Sequence, residues 1–212
     1  MDAIALNQLI EQCAVGVAPT TMAAIVKVES GGNPYAIGDN TSKSRVSPTP
    51  KTAHEAATIA LDLLRKGHSL DLGLAQINSN NLKGYKVSVQ DIFEPCTNLK
   101  VGSKILSTFY TKSAQVYGHG DISLFHALSA YNTGSFFRGP GYVEKILNAA
   151  GSKASTRKVS WSQASPKSTK KSAVHHPQQR YTLPMYAPII AFSHIESSDN
   201  NSSSNDILTV TD

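Results

Sequence analysis

The composition of the chain breaks at Gly151, and nearly everything able to build a core lies before the break. After it come Ser, Lys, Gln, Pro and His, and residues 198–205 are only Ser, Asp and Asn. Such stretches bury too little apolar surface to offset the entropy of ordering them. The sequence therefore predicts one folded domain over residues 1–150 and a low-complexity, disordered tail over 151–212. Two fragments depart from this pattern, the apolar stretch 181–192 and the strand-like 207–210, and both are expected to stay unpacked. Charge divides at the same place. Residues 1–150 carry 13 Lys+Arg against 11 Asp+Glu, residues 151–180 carry seven basic and no acidic residues, and 181–212 carry four acidic residues and no Lys or Arg. The basicity belongs to the tail, so a nucleic-acid-binding domain is not indicated.

Within the domain, apolar spacing of about 3.6 residues predicts a mainly α fold. Helices are expected over 3–13, from Pro19 to Glu29, behind Thr52-Ala-His-Glu55 until Gly67, and over 98–117, 121–132 and 142–150. The Thr52 to Glu55 segment has the form of a capping box, and Gly67 that of a helix stop. Residues 35–51 mix turn formers with β-prone residues, which predicts a loop or short hairpin. No apolar run approaches the roughly 18 residues of a membrane span. The first 17 residues contain Asp2 and Glu11, lack Lys and Arg and keep helical spacing, so no secretory signal is evident in them. Cys13 and Cys96 are too few for a disulfide scaffold and badly spaced for zinc. Two buried thiols are the default, and a bridge is the better reading if the protein works outside the cytoplasm. The seven histidines, His175 and His176 included, offer no ligand framework, so neither a metal nor another cofactor is expected.

Glu29 ends the apolar run Met22-Ala-Ala-Ile-Val-Lys-Val-Glu29 and is followed by Ser30-Gly31-Gly32-Asn33-Pro34. It lies four residues from Ile25 and three from Val26, on the apolar stripe. Partial burial favours the protonated carboxyl, and the negative end of the helix dipole pushes the same way. Both effects predict a raised pKa and a general acid.

Two further segments belong with this one: Gly73-Leu-Ala-Gln-Ile-Asn78, and Ala130-Tyr-Asn-Thr-Gly134 at the end of a helix. In this order and at these separations the three resemble the catalytic motifs of lytic transglycosylases with a goose-type lysozyme-like (SLT) fold, over about residues 10–150. Cys13, the run from Val17 to Glu29, Asn33-Pro-Tyr-Ala-Ile-Gly38, Leu72-Gly-Leu-Ala-Gln-Ile-Asn78 and Phe93-Glu-Pro-Cys96 are more narrowly similar to the VirB-type lytic transglycosylases of type IV secretion systems. The resemblance implies Glu29 as the single catalytic acid and base. It implies Ser30, Gln76, Asn78, Tyr131 and Asn132 as substrate-binding residues, with Gln76 and Asn132 offering amide donors and acceptors to acetamido and hydroxyl groups. From local chemistry alone, Gln76 and Asn78 could equally close a turn, Tyr131 be a core ring and Asn132 a helix cap. Ala75 stands where many relatives have Met, which predicts one lost sugar contact.

The implied activity is cleavage of the β-1,4 bond between N-acetylmuramic acid and N-acetylglucosamine with formation of a 1,6-anhydro product. The implied setting is the periplasm, where a Cys13–Cys96 bridge is expected. Peptidoglycan glycan strands would be the substrate, and secretion components would be reached through the tail. Asp39 and Asp71, the nearest other acids, are read as capping or solvated turn residues. Two alternatives are a hydrolytic muramidase and a non-catalytic peptidoglycan-binding scaffold.

Overall fold

The computed structural model describes residues 2–151 and two strands beyond them. Helix α1 (Ala3–Cys13) starts where Asp2 accepts a hydrogen bond from the Ala5 amide at 2.8 Å, satisfying one orphan N–H of its first turn. Helix α2 (Pro19–Glu29) opens on Pro19, whose missing N–H costs nothing there, and buries Met22, Ile25 and Val26. Gly31 and Gly32, both at positive φ, turn the chain away from the helix end. Helix α3 (Ala53–Arg65) is capped by Thr52 Oγ1, which accepts from the Glu55 amide at 3.1 Å. The return bond of the expected capping box is displaced by one residue, since Glu55 accepts from the Lys51 amide.

The longest element is α5 (Pro95–Tyr117), and against it lies α6 (Asp121–Thr133). Eight consecutive residues of α6, Ser123 to Ala130, are buried, so this helix is surrounded on all sides rather than amphipathic. It brings Tyr131 and Asn132 to the end of a rigid, enclosed rod. Helix α7 (Pro140–Ala149) packs on α2 and α6 through Tyr142, Val143, Ile146 and Leu147. A one-turn helix α4 (Leu82–Tyr85), which periodicity could not reveal, precedes α5. Cys13 at the end of α1 and Cys96 at the start of α5 form a disulfide, with Cα atoms 5.3 Å apart.

The segment expected as a loop or hairpin is a hairpin of β1 (Ile37–Asp39) and β2 (Ser44–Arg45). It belongs to a larger element. Strands β3 (Leu70–Leu72) and β4 (Ile77–Asn78), not foreseen from sequence, complete a four-stranded antiparallel sheet in the order β2-β1-β3-β4. Asp39 caps the turn between β1 and β2, accepting from the Thr41 and Ser42 amides, but it is not solvated: it is 6% exposed and is also bound by the Ser42 hydroxyl and His68 Nδ1. The Ser42 hydroxyl, with His68 behind it, holds the Asp39 pKa down to about 2.

Beyond Gly151, Ser155–Ser160 (β5) and Thr182–Met185 (β6) pair as antiparallel strands, a feature composition alone did not predict. The rest of the tail, with the strand-like 207–210, lies outside the described residues. Among the described residues no helix is long and apolar enough to cross a membrane.

Candidate active site

A cleft of about 370 Å³ runs between the sheet, the C-terminal ends of α2 and α6, and the middle of α5. Glu29, the last residue of α2, lines it together with Asp71, Gln76, Asn78, Tyr131 and Asn132. All the expected site residues but Ser30 therefore border one space, although they are spread over a hundred residues of sequence. Ser30 is placed otherwise. Its hydroxyl donates to the Leu74 carbonyl at 2.7 Å and accepts from the Gly32 amide, so it fastens the end of α2 to the β3–β4 turn and stands outside the cleft lining.

The Glu29 carboxyl is partly buried, and burial is the main reason its pKa is raised above the ordinary 4.5. Tyr142 Oη donates to Glu29 Oε1 at 2.6 Å, which favours the carboxylate and opposes burial. The Asp71 charge raises the pKa further and the Arg45 charge lowers it. The expected contribution of the helix dipole meets a counter-charge, because the Arg45 guanidinium donates to the backbone carbonyl of Glu29 at the negative end of α2. With Oε1 engaged by a donor, Oε2 is the oxygen free to carry and deliver a proton.

Gln76 has a left-handed backbone, φ +46, which costs a non-glycine residue of order 1 kcal/mol and persists only where its surroundings hold it. Its Nε2 donates to the Ala36 and Gly73 carbonyls at 3.1 and 2.9 Å, closing the β3–β4 turn. Both amide hydrogens are thereby used, and only Oε1 remains to face a ligand. Asn78 is likewise held at both ends, donating to Asp71 Oδ1 at 2.8 Å and accepting from the Asn80 amide. Tyr131 Oη donates to the Ala75 carbonyl at 2.8 Å, and burial pushes its pKa well up, so it is a neutral phenol. Asn132 is exposed, lines the cleft and makes no side-chain hydrogen bond among the described residues. Gly134, at φ +68, ends α6 instead, with its amide on the Ala130 carbonyl.

Two readings are corrected by this geometry. Ala75 points into the core, fully buried, where a Cβ on Gly102 would stand 2.9 Å from its own, so the absence of Met there removes no cleft contact. Asp71 is neither a cap nor a turn residue but a strand residue of the cleft wall. Two residues were missed entirely, Arg45 and Tyr142. Tyr142 is separated from Glu29 by 113 residues and sits in an ordinary amphipathic helix, so only the packing of α7 on α2 reveals it.

The transglycosylase SLT domain family matches residues 8–154. The type IV secretion system protein virB1 of Brucella abortus is 43% identical over 150 residues, covering 67% of this chain and 62% of that protein. Protein virB1 of Agrobacterium fabrum is 39% identical over 151 residues, covering 68% and 58%. That of Rhizobium radiobacter is 37% identical over 146 residues, covering 68% and 60%. The aligned part thus takes in about three fifths of each relative's length. No solved structure matches the chain. With its three motifs gathered around one cleft and the match spanning nearly all of the helical domain, the chain belongs to the transglycosylase SLT domain family.

Proposed function

We propose that the chain is a lytic transglycosylase of the bacterial cell wall. The observation that carries this reading is Glu29: a half-buried carboxyl with a raised pKa, oriented by Tyr142 in a cleft otherwise rich in amides. Protonated Glu29 would give its proton to the glycosidic oxygen between N-acetylmuramic acid and N-acetylglucosamine as the C1–O4 bond breaks. The substrate's acetamido group stabilises the cationic anomeric carbon. The Glu29 carboxylate then takes the proton from the muramoyl O6 hydroxyl as O6 bonds to C1, closing the 1,6-anhydro ring. No water is consumed, and the carboxyl returns to its starting state. Gln76 Oε1 and the amide of Asn132, both on residues lining the cleft, would bind sugar and acetamido groups.

Similarity to virB1 proteins supports a role in opening the wall for a type IV secretion system, in the periplasm. The Cys13–Cys96 bridge fits an oxidising compartment. The domain before Gly151 would carry the cleavage, and the tail would reach secretion components. A second reading, a hydrolytic muramidase, is favoured by one observation, the Asp71 carboxylate in the same cleft, which could activate a water. Digestion of purified sacculi followed by mass analysis separates the two. The anhydro product is lighter than the hydrolytic one by one water. Glu29→Gln is expected to lose cleavage by about 10²- to 10⁴-fold, toward the upper end because one group serves as acid and base. A folded Glu29→Gln variant that still cleaves at a substantial rate would overturn the role of Glu29, and products carrying the extra water would establish hydrolysis.

A further inference from the structure

Gly38, the middle residue of β1, lies opposite Arg45 of β2 on one side and Asp71 of β3 on the other. Asp71 in turn lies opposite Asn78. Directly opposed residues of neighbouring strands project from the same face of a sheet. Arg45, Gly38, Asp71 and Asn78 therefore form one row across all four strands, interrupted where glycine has no side chain. Gln76 occupies the interruption: its Oε1 is 3.0 Å from where a Cβ on Gly38 would stand. Both charged members of the row bear on Glu29. Arg45 donates to the Glu29 backbone carbonyl, and Asp71, its Oδ1 engaged by Asn78, lines the cleft with the Glu29 carboxyl.

We propose that Arg45 and Asp71 are positioning residues that poise Glu29 between its two duties, Asp71 favouring the protonated carboxyl that donates and Arg45 the carboxylate that accepts. This inference rests on the transglycosylase reading. A single group that must first hold a proton, then release it, then take up another performs poorly if its surroundings favour one state strongly. Burial alone pushes toward the protonated form, as Asp71 does, and the Arg45 cation and the Tyr142 hydroxyl push back. Among the described residues, the other ionisable groups facing the carboxyl are phenols, Tyr142 from α7 and Tyr131 from α6, both kept neutral by burial. From α5 the cleft receives only the apolar Ile105 and Phe109. Among the described residues, the fixed charges that bias Glu29 thus come from the sheet, one from β2 and one from β3.

The test compares the parent with Asp71→Asn, Arg45→Gln, Arg45→Lys and the Asp71→Asn/Arg45→Gln double variant, each shown to be folded by its melting curve. Two readouts are taken: titration of Glu29 by carboxyl-carbon NMR, and the pH dependence of kcat/KM on purified glycan strands. A general acid is lost as pH rises through its pKa, so the alkaline limb reports it. Asp71→Asn is expected to move that limb and the titration to lower pH, and Arg45→Gln to higher pH. Each shift should be about half a unit or more, as for one charge several ångströms away in a partly solvated cleft. Arg45→Lys should restore the parent profile, and the double variant should lie between the singles. If both single variants titrate like the parent while activity falls equally at every pH, the row merely holds the sheet together and the proposal is overturned. A parent that cleaves nothing would sink the transglycosylase reading alone, because the NMR titration still decides whether the two charges act on Glu29.

Discussion

A carboxyl whose pKa is raised by burial weakens the fold that buries it wherever it is ionised. The pKa of Glu29 in the folded chain lies above the ordinary 4.5, so between those values the native state binds more protons than the unfolded one. Stability then falls as pH rises through that window. Glu29→Gln abolishes this titration, so the variant should be more stable than the parent at neutral pH, with the difference closing as pH drops below 4.5. Denaturant midpoints measured across the range check this, and a constant difference would remove burial as the cause of the shift. Tyr142→Phe acts in the other direction on the site. Losing the donor to Oε1 should raise the Glu29 pKa further and move the alkaline limb of the rate profile upward. It should also cost roughly tenfold in kcat, the worth of one hydrogen bond to a charged group at the low end of its range. An unaltered kcat and profile would leave Tyr142 a packing residue only. Glu29 was legible as a candidate because its helical neighbours Ile25 and Val26 are local in sequence. The partners that set its behaviour, Tyr142, Asp71 and Arg45, come from three other elements and were invisible there.

At the scale of elements, the site depends on how closely α5 approaches the β3–β4 turn. Gly102 on α5 makes this approach possible, since an added Cβ would meet Ala75 Cβ at 2.9 Å, Met22 Cε at 3.1 Å and Tyr131 Oη at 3.2 Å. Alanine normally favours a helix interior by up to about 1 kcal/mol over glycine. Here overpacking, typically about 1–3 kcal/mol, should outweigh that gain, and Gly102→Ala is expected to be net destabilising. Because Ala75 and Tyr131 are bonded through backbone and hydroxyl, the same change should displace Tyr131 from the cleft and reduce activity. Urea unfolding with activity measured on the same preparation tests both, and a variant as stable and active as the parent would show that α5 can shift freely. The six longer helices were readable because apolar residues recur in each at helical spacing over more than two turns. Strands β3 and β4 have three and two residues, too few to show an alternation, and exist because β1 and α5 supply their partners.

For the whole molecule, the Cys13–Cys96 bridge closes a separation of 83 residues that contains α2, α3 and the entire sheet. Constraining an unfolded chain over such a loop is worth on the order of 4 kcal/mol in the chain-entropy account. Reduction should therefore lower the melting temperature by many degrees while the cleft residues stay in place, and a calorimetric scan with and without reductant measures it. An unchanged melting temperature would mean that the bridge contributes nothing beyond the packing of α1 on α5. The pairing itself was open from sequence, since two cysteines admit thiols or a bridge, and became an expectation only through the family resemblance. What the sequence by itself determined was the six longer helices and the place of Glu29 on an apolar helical stripe, because periodicity and residue type are local properties. What only the tertiary structure decided was which polar groups are spent on the fold and which are left for a ligand. Ser30 and the amide hydrogens of Gln76 are consumed by backbone carbonyls, whereas Asn132 and Gln76 Oε1 are not. Asp71 and Arg45 became neighbours of Glu29 through strand register. Hydrogen-bond satisfaction and the field at a buried carboxyl depend on distances between segments far apart in the chain, and those distances are set only when the whole core packs.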